Sequence, residues 1–147
     1  MLVEIRPGPF DPFAEMSAYQ TRLQPAGRIG AMASFIGTLR DNNEGAVVSE
    51  MQLEHYPGMT EKHLQAICSE AAVKWSLLDC LVLHRCGRIR IGDTIVLVAA
   101  WAAHRGDALD ACRFLIEDLK SRAPFWKKEW LEGSERWVGT NTSGHSN

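Results

Sequence analysis

No run of about 18 apolar residues occurs in the chain, so no membrane-crossing helix is expected. No basic segment followed by a long apolar stretch opens it either. The first residues, MLVEIRPGPFDPF, are broken by Pro7, Pro9 and Pro12, and no secretion signal is expected. Cysteines are few and lack paired spacing. Cys68, Cys80, Cys86 and Cys112 are scattered through apolar segments, which suits reduced, buried thiols and argues against a disulfide framework. Together these absences predict a cytoplasmic protein. An excess of charge is missing too: 16 Lys and Arg against 18 Asp and Glu leave a formal charge of −2. No overall field draws this chain to nucleic acid or to an anionic membrane, so any positive field must be local. Internal repeats and low-complexity blocks are also absent. What remains is 147 residues of 46% hydrophobic content, enough to bury a core as one domain. That domain is expected over 1–138, with a disordered polar tail, 139–147.

The patterning predicts an α+β sandwich. The proline-rich start reads as extended to about residue 13, followed by a short helix over 13–24 that Pro25 and Gly27 end. GRIGAMASFIGTLR has a strand's alternation, with Gly30 and Gly37 marking bulges or close backbone approach. After the turn-rich, mobile DNNEG, the segment AVVSEMQLEHY alternates as a half-buried strand, antiparallel to the one before it. Pro57-Gly58 leads into a helix over 59–76 with Leu64, Ile67, Ala71 and Trp75 on one stripe. LDCLVLHRCGRI and DTIVLVAAWAA read as two strands around a Gly92-Asp93 turn, the second central in a sheet and covered on both faces. A last helix over 107–121 buries Ala108, Cys112, Leu115 and Leu119, and Pro124 stops it. Two short strands around Gly133-Ser134 close the chain. The predicted order is β-β-α-β-β-α-β-β after a leading helix.

Several clusters carry possible chemistry. Ala103-His104-Arg105-Gly106-Asp107 lies where a buried strand gives way to a helix, and free N–H groups there favour anions. Arg105 offers a planar fork for phosphate, although a plain helix start capped by Asp107 fits equally well. Thr38-Leu39-Arg40 ends a strand, and Arg40 is either a second anion contact or a solvated charge. EHYPGMTE brings carboxylate, imidazole and phenol to a helix start, where a structural junction is the stronger reading. Cys80, His84 and Cys86 share spacing with metal sites, but no fourth ligand is evident and no metal is expected. In CGRIRIG, Cys86 is a core or strand-edge cysteine before it is a nucleophile.

The densest cluster is LKSRAPFWKKEW at 119–130, with Lys120, Arg122, Lys127 and Lys128 wrapped around Ala-Pro-Phe-Trp. Lys120 stands near a helix C-terminus, where the dipole mildly favours a cation. Lys127 follows the Pro124 break, and a chain reversal there could bring the two ammonium groups toward one cavity walled by Phe125 and Trp126. Apolar walls would lower a lysine's pKa and suit it to nucleophilic or proton-moving work. Arg122 is read as a helix-end charge.

These segments, in order and spacing, resemble the catalytic (large) subunit family of molybdopterin synthase over about residues 27–138. The motifs that carry the resemblance are GRIGAMASFIGTLR, EHYPGMTE, His84-Arg85-Cys86-Gly87, Ala103-His104-Arg105 and LKSRAPFWKKE. The resemblance implies an α/β hammerhead-like fold with an additional small antiparallel β subdomain. It implies conversion of cyclic pyranopterin monophosphate into molybdopterin by insertion of two sulfurs as a dithiolene, with no cofactor. The sulfur would arrive as a thiocarboxylate on the Gly-Gly C-terminus of a ubiquitin-like sulfur-carrier small subunit, within a heterotetramer built on a homodimer of large subunits. This chain does not end in Gly-Gly, so it is not expected to be the carrier. By position, the family's two key lysines correspond to Lys120, implied to be essential, and Lys127, implied to assist with substrate or protons. Thr38, Leu39, Arg40, His104 and Arg105 correspond to substrate-binding positions, and Lys128 and Glu129 to the rest of the pocket segment. Thr38 stands where the family often has a lysine, and the sequence diverges after Val138.

Two other functions compete on the same residues. One is a persulfide sulfurtransferase using Cys86, and the other is a scaffold that binds a ubiquitin-like protein without turnover.

Overall fold

Leu2–Arg6 makes a strand, β1, within the start that the sequence reads as extended. The computed structural model describes residues 1–24, 26–43, 45–131, 134–139 and 144–145. After β1 come α1 (Pro12–Gln20), β2 (Ala31–Thr38), β3 (Asn42–Asn43), β4 (Ala46–His55), α2 (Met59–Lys74) and β5 (Asp79–Arg85). Then follow β6 (Gly87–Arg90), β7 (Thr94–Ala102), α3 (Arg105–Arg122), β8 (Phe125–Leu131) and β9 (Ser134–Val138). The architecture is α+β, as predicted, with three additions to the predicted order: β1, the two-residue β3 and β6. Strand β1 was hidden because its partner is remote, running parallel to β5 with Leu2 opposite Leu81.

A four-stranded sheet in the order β1-β5-β7-β2 forms the main layer. Its central strand β7 is covered on both faces, which its unbroken apolar run requires. Val96, Val98, Ala100 and Ala102 pack with α2 and α3, while Leu97, Ala99 and Trp101 pack with Met16 and Tyr19 of α1. Helix α1 starts where Asp11 accepts hydrogen bonds from the N–H groups of Phe13 and Ala14, at 2.9 and 3.3 Å. It stops at Gln20, short of the predicted 24, where Arg22 and Leu23 donate instead to the carbonyls three residues back, Tyr19 and Gln20. Pro25, the predicted stop, lies outside the described residues. Gly30 does mark a close approach: a Cβ there would lie 2.1 Å from the Ala103 carbonyl oxygen.

Strand β4 corrects the sequence reading in two ways. It pairs not with β2 but within a second sheet, β3-β4-β8-β9, where β6 also pairs with β4. A bulge between Val48 and Glu50 resets its alternation, so Val48, Met51 and Leu53 are the buried residues. The expected single strand through CGRI is likewise two. The chain turns at Gly87, whose φ of +81° is left-handed, and β6 leaves the first sheet to pair with β4. Leu39, Met51, Leu53 and Ile89 form the core beneath this second sheet, which is the small antiparallel subdomain.

Helix α2 buries Leu64, Ile67 and Ala71, and Trp75 caps it against Phe114 at 5.2 Å between ring centroids. Helix α3 buries Ala108, Cys112, Leu115 and Leu119, but starts two residues earlier than predicted. His104 takes the N-cap with extended backbone, so Asp107 sits in the first turn and does not cap. Ala123 is extended (φ −77°, ψ 134°), the conformation a residue before proline prefers. The β8–β9 hairpin pairs Lys127 with Val138 and Leu131 with Ser134. Its turn at Gly133, and most of the tail predicted to be disordered, lie outside the described residues. Among the described residues, no helix is long and apolar enough to cross a membrane.

Candidate active site

The site lies where α3 runs out beneath the second sheet. Register places Leu53 of β4 opposite Lys127, His55 opposite Phe125 and Met51 opposite Glu129. The EHYPGMTE segment therefore lies beside the β8 segment, and Thr60 ties them. Fully buried at the start of α2, its hydroxyl accepts from the Tyr56 N–H at 2.9 Å and donates to the Pro124 carbonyl at 3.0 Å. Gly58 N–H donates to the Glu61 carboxylate at 2.7 Å, which closes the same junction. The structural reading of this motif is the one the contacts support. Tyr56 stacks toward Trp126 at 5.6 Å, outside the cavity.

Pro124 ends α3 and β8 returns, so Lys120 and Lys127 face one cavity of about 520 Å³ including its open mouth. Thr38, Leu39, Arg40, Asn43, Met51 and Glu129 also line it. Burial holds the Lys120 ammonium below the ordinary lysine range, while its hydrogen bond to Lys127 partly opposes this. Lys127 is pushed down further, to about 8, by burial first, then by the neighbouring Lys120 charge and hydrogen bond, with Glu129 opposing. Two amines in hydrogen-bonding reach are best satisfied when one is charged and donates and the other is neutral and accepts. Of the two, Lys127 is the one that gives up its proton more readily.

Glu129 is a wall of this cavity with both oxygens engaged. Oε1 accepts from Asn43 Nδ2 at 2.6 Å, and Oε2 accepts from Arg136 Nη2 at 3.1 Å. Arg136 also donates to the Asn43 carbonyl at 2.9 Å, so one carboxylate ties β3, β8 and β9 together. The DNNEG segment is thus anchored at Asn43, where turn composition alone predicts mobility. Asn43, Met51 and Arg136 were not among the predicted site residues. Their one legible signal is Arg136, whose place on β9 pairs it with Glu129.

Lys128 points the other way. As the next residue on an extended strand it emerges from the opposite face, pairing with Glu135 at 3.1 Å and lying over the Trp137 ring at 5.3 Å. Arg122 bridges α3 to α2 through Glu70 at 2.7 Å and also holds Asp118, in keeping with a helix-end charge. His104 and Arg105 are exposed at the far end of α3, about 22–24 Å from Lys120 at roughly 1.5 Å per residue. Within one chain they do not join the cavity. Cys86 is half-buried, with its thiol pushed up by burial despite Arg85, and it does not line the cavity either. Cys80 contacts Cys68 in the core, while the His84 ring stacks on Phe125 at 4.0 Å, so the spaced Cys-His-Cys pattern is divided among different neighbours.

An α+β chain with two opposed amines in a half-open cavity defines a class: proteins whose buried lysine pair can hold an anion. Sequence and structural comparisons narrow the class. The sequence profile of the MoaE protein family matches residues 9–122. A molybdopterin synthase catalytic subunit from Ralstonia nicotianae is 53% identical over 138 residues, covering 92% of this chain and 76% of that protein. The solved structure of a molybdopterin biosynthesis MoaE protein from Burkholderia ambifaria is 45% identical, with a TM-score of 0.79, covering 97% of this chain and 92% of that one. A molybdopterin synthase structure from Staphylococcus aureus is 32% identical, with a TM-score of 0.82, covering 92% and 96%. The chain belongs to the MoaE family.

Proposed function

We propose that this chain is the catalytic subunit of a molybdopterin synthase, which builds the dithiolene of molybdopterin on cyclic pyranopterin monophosphate. Its relatives carry that name at high identity over nearly the whole chain. The observation that carries the reading here is the Lys120–Lys127 pair in one desolvated cavity of a family member. Sulfur arrives as the thiocarboxylate of a small ubiquitin-like subunit, whose extended Gly-Gly tail is narrow enough for a half-open cavity. In each transfer the thiocarboxylate sulfur forms a C–S bond to a pterin side-chain carbon as a C–O bond at that carbon breaks and its oxygen leaves. Water then adds to the acyl carbon and the acyl C–S bond breaks, so the sulfur stays on the pterin and the tail leaves as a carboxylate.

The residue types suit this work. Thiocarboxylate sulfur is already activated, so no cysteine nucleophile is needed. Lys120, the amine that keeps its proton, offsets the thiocarboxylate charge and the oxyanion that develops at the acyl carbon. Lys127, neutral over part of the working pH range, takes and returns protons. Arg40, beside Thr38 and Leu39 at the cavity mouth, is the candidate phosphate contact. Glu129 holds the cavity wall through Asn43 and Arg136 and is not a proton donor in this scheme. Lys128 supports the hairpin from outside.

His104 and Arg105 have a role only if a second chain brings them in. In the proposed homodimer, which with two small subunits makes a heterotetramer, each chain lends these two cations to its partner's cavity. The assembly is cytoplasmic in this reading. Against the persulfide alternative stand the raised Cys86 thiol and its position outside the cavity.

The deciding experiment mixes the purified chain with a thiocarboxylated carrier and cyclic pyranopterin monophosphate. Molybdopterin formed at multiple turnovers is expected. Binding of the carrier without product would leave the scaffold reading in its place. Retained activity in Cys86→Ser, together with loss in Lys120→Ala, separates the lysine mechanism from the persulfide one.

A further inference from the structure

His84 ends the buried run of β5 on the face covered by α2 and α3, and it is 1% exposed. A buried imidazole needs a reason for its two polar nitrogens. One is accounted for: Nδ1 lies 2.8 Å from the Arg85 carbonyl oxygen, and since a carbonyl can only accept, Nδ1 must carry the proton. That assigns the tautomer and leaves Nε2 with a lone pair. The ring is also fixed in plane, stacked on Phe125 at 4.0 Å between centroids and 20° between planes. His84 also lines a cavity of about 250 Å³, open side included, with Leu119, Lys120, Ala123, Phe125 and Lys127.

The charged and titratable groups around the ring come from each packed element. Lys120 approaches from α3 and Lys127 from β8, and His55 lies on β4 with Glu61 of α2 3.6 Å from it. Glu129 acts on Lys127 from the same strand. The Arg85 guanidinium, on the opposite face of β5, donates to the Arg88 carbonyl and lies 3.8 Å from Asp93. Burial, with the two lysines adding to it, holds the His84 imidazole down at about 3, so the ring is neutral wherever the enzyme works.

We propose that His84 is a positioning residue for the lysine pair: its ring is pinned by Phe125, its Nδ1–H is engaged by the Arg85 carbonyl, and its Nε2 lone pair orients the amino groups of Lys120 and Lys127. A neutral acceptor suits this place. A carboxylate would hold both lysines charged, whereas an imidazole lone pair orients an N–H without neutralising the field that anionic substrates need. The inference rests on the synthase reading above and adds to it a residue that does not touch substrate.

Three measurements test it. The tautomer is read in the unmodified protein by 15N NMR of histidine-labelled chain, with His84→Gln identifying the signal. An Nδ1–H tautomer that persists from pH 6 to 9 is expected, and an Nε2–H tautomer overturns the proposal whatever the activity. In the complete synthase, His84→Phe keeps the stacked ring but removes the acceptor. It should lower kcat about 10- to 100-fold, with the precursor KM and small-subunit affinity within about threefold. Loss of an acceptor for a lysine N–H disfavours the ammonium, so the acid limb of the kcat profile should move down by at least about half a pH unit. His84→Gln, with its amide oxygen near the Nε2 position, should recover at least about a third of the lost activity. A His84→Phe enzyme with kcat within about threefold and an unmoved limb, changed only in melting temperature, makes His84 a core residue and overturns the inference. If His84→Phe does not fold, the tautomer and His84→Gln decide. Failure of the unmodified enzyme to make molybdopterin would overturn the synthase reading instead, with the tautomer still read.

Discussion

At the start of α3, His104 and Arg105 stand in solvent at the positive end of the helix dipole; at its other end, Lys120 stands half-buried against Lys127. Both ends are cationic, and the dipole would favour a cation only at the second, by about 0.3–1 kcal/mol. Burial outweighs that help, since it lowers Lys120 and drives Lys127 from the ordinary 10.5 to about 8. The exposed end therefore offers fixed charge and the enclosed end offers charge that can change. A reaction that must hold anions and also move protons needs both, which a single chain keeps about 22 Å apart.

The most severe way to break the contrast is Lys120→Ala. Removing the retained ammonium should reduce molybdopterin formation by at least about 10³-fold, while binding of the small subunit, measured by titration, stays within about threefold. Arg105→Ala should also inactivate, by about 10- to 100-fold, but the two losses should complement. Co-refolded Lys120→Ala and Arg105→Ala chains form mixed dimers with one cavity intact, so about a quarter of the unmodified activity should return. No recovery would place Arg105 outside the partner's cavity.

The enclosed end should also impose a pH signature. With Lys127 as the proton-accepting amine, kcat should rise with pH through a midpoint near 8, and Lys127→Arg, which cannot lose its proton, should flatten the rise and lower activity about 10- to 100-fold. The same burial costs stability. The folded-state pKa of Lys127 lies below its ordinary value, so the penalty is full below pH 8 and fades as pH rises from 8 to 10.5. Lys127→Met should therefore stabilise the unliganded chain by about 1–3 kcal/mol at pH 7, with the gain shrinking by pH 10 in denaturant titrations. The smallest effect belongs to the adjacent Lys128. Its pair with Glu135 is partly exposed, so Lys128→Ala should cost about 0–1 kcal/mol and change activity less than about threefold.

Local pattern was enough for α2 and α3, whose buried stripes at three- and four-residue spacing are the ones the structure buries. It was enough, too, for β7, because an unbroken apolar run has few places to go other than the middle of a covered sheet. It failed where a partner was remote. Strand β1 exists only because β5 pairs with it from far along the chain, Leu2 opposite Leu81, and Asn43 is held by Glu129 across 86 residues. It failed again at β4, where one extra residue at the Val48–Glu50 bulge exchanges the faces of an otherwise regular alternation.

The cationic segment around Pro124 shows the division within the site. Residue order made an approach of Lys120 to Lys127 possible, since proline ends the helix and lets the chain turn back. Composition also ruled out a general electrostatic role, leaving a local one. Which lysine loses its proton more readily, that Lys128 faces Glu135 outside, and that His84 presents a lone pair beside the pair were all decided by folding. Each depends on what surrounds a group in space: burial by residues from several elements, the alternation of a strand, the carbonyl that claims one imidazole nitrogen. These neighbours are assembled by long-range packing, and the free energies of desolvation and hydrogen bonding that act on a side chain are set by them and not by its neighbours in sequence.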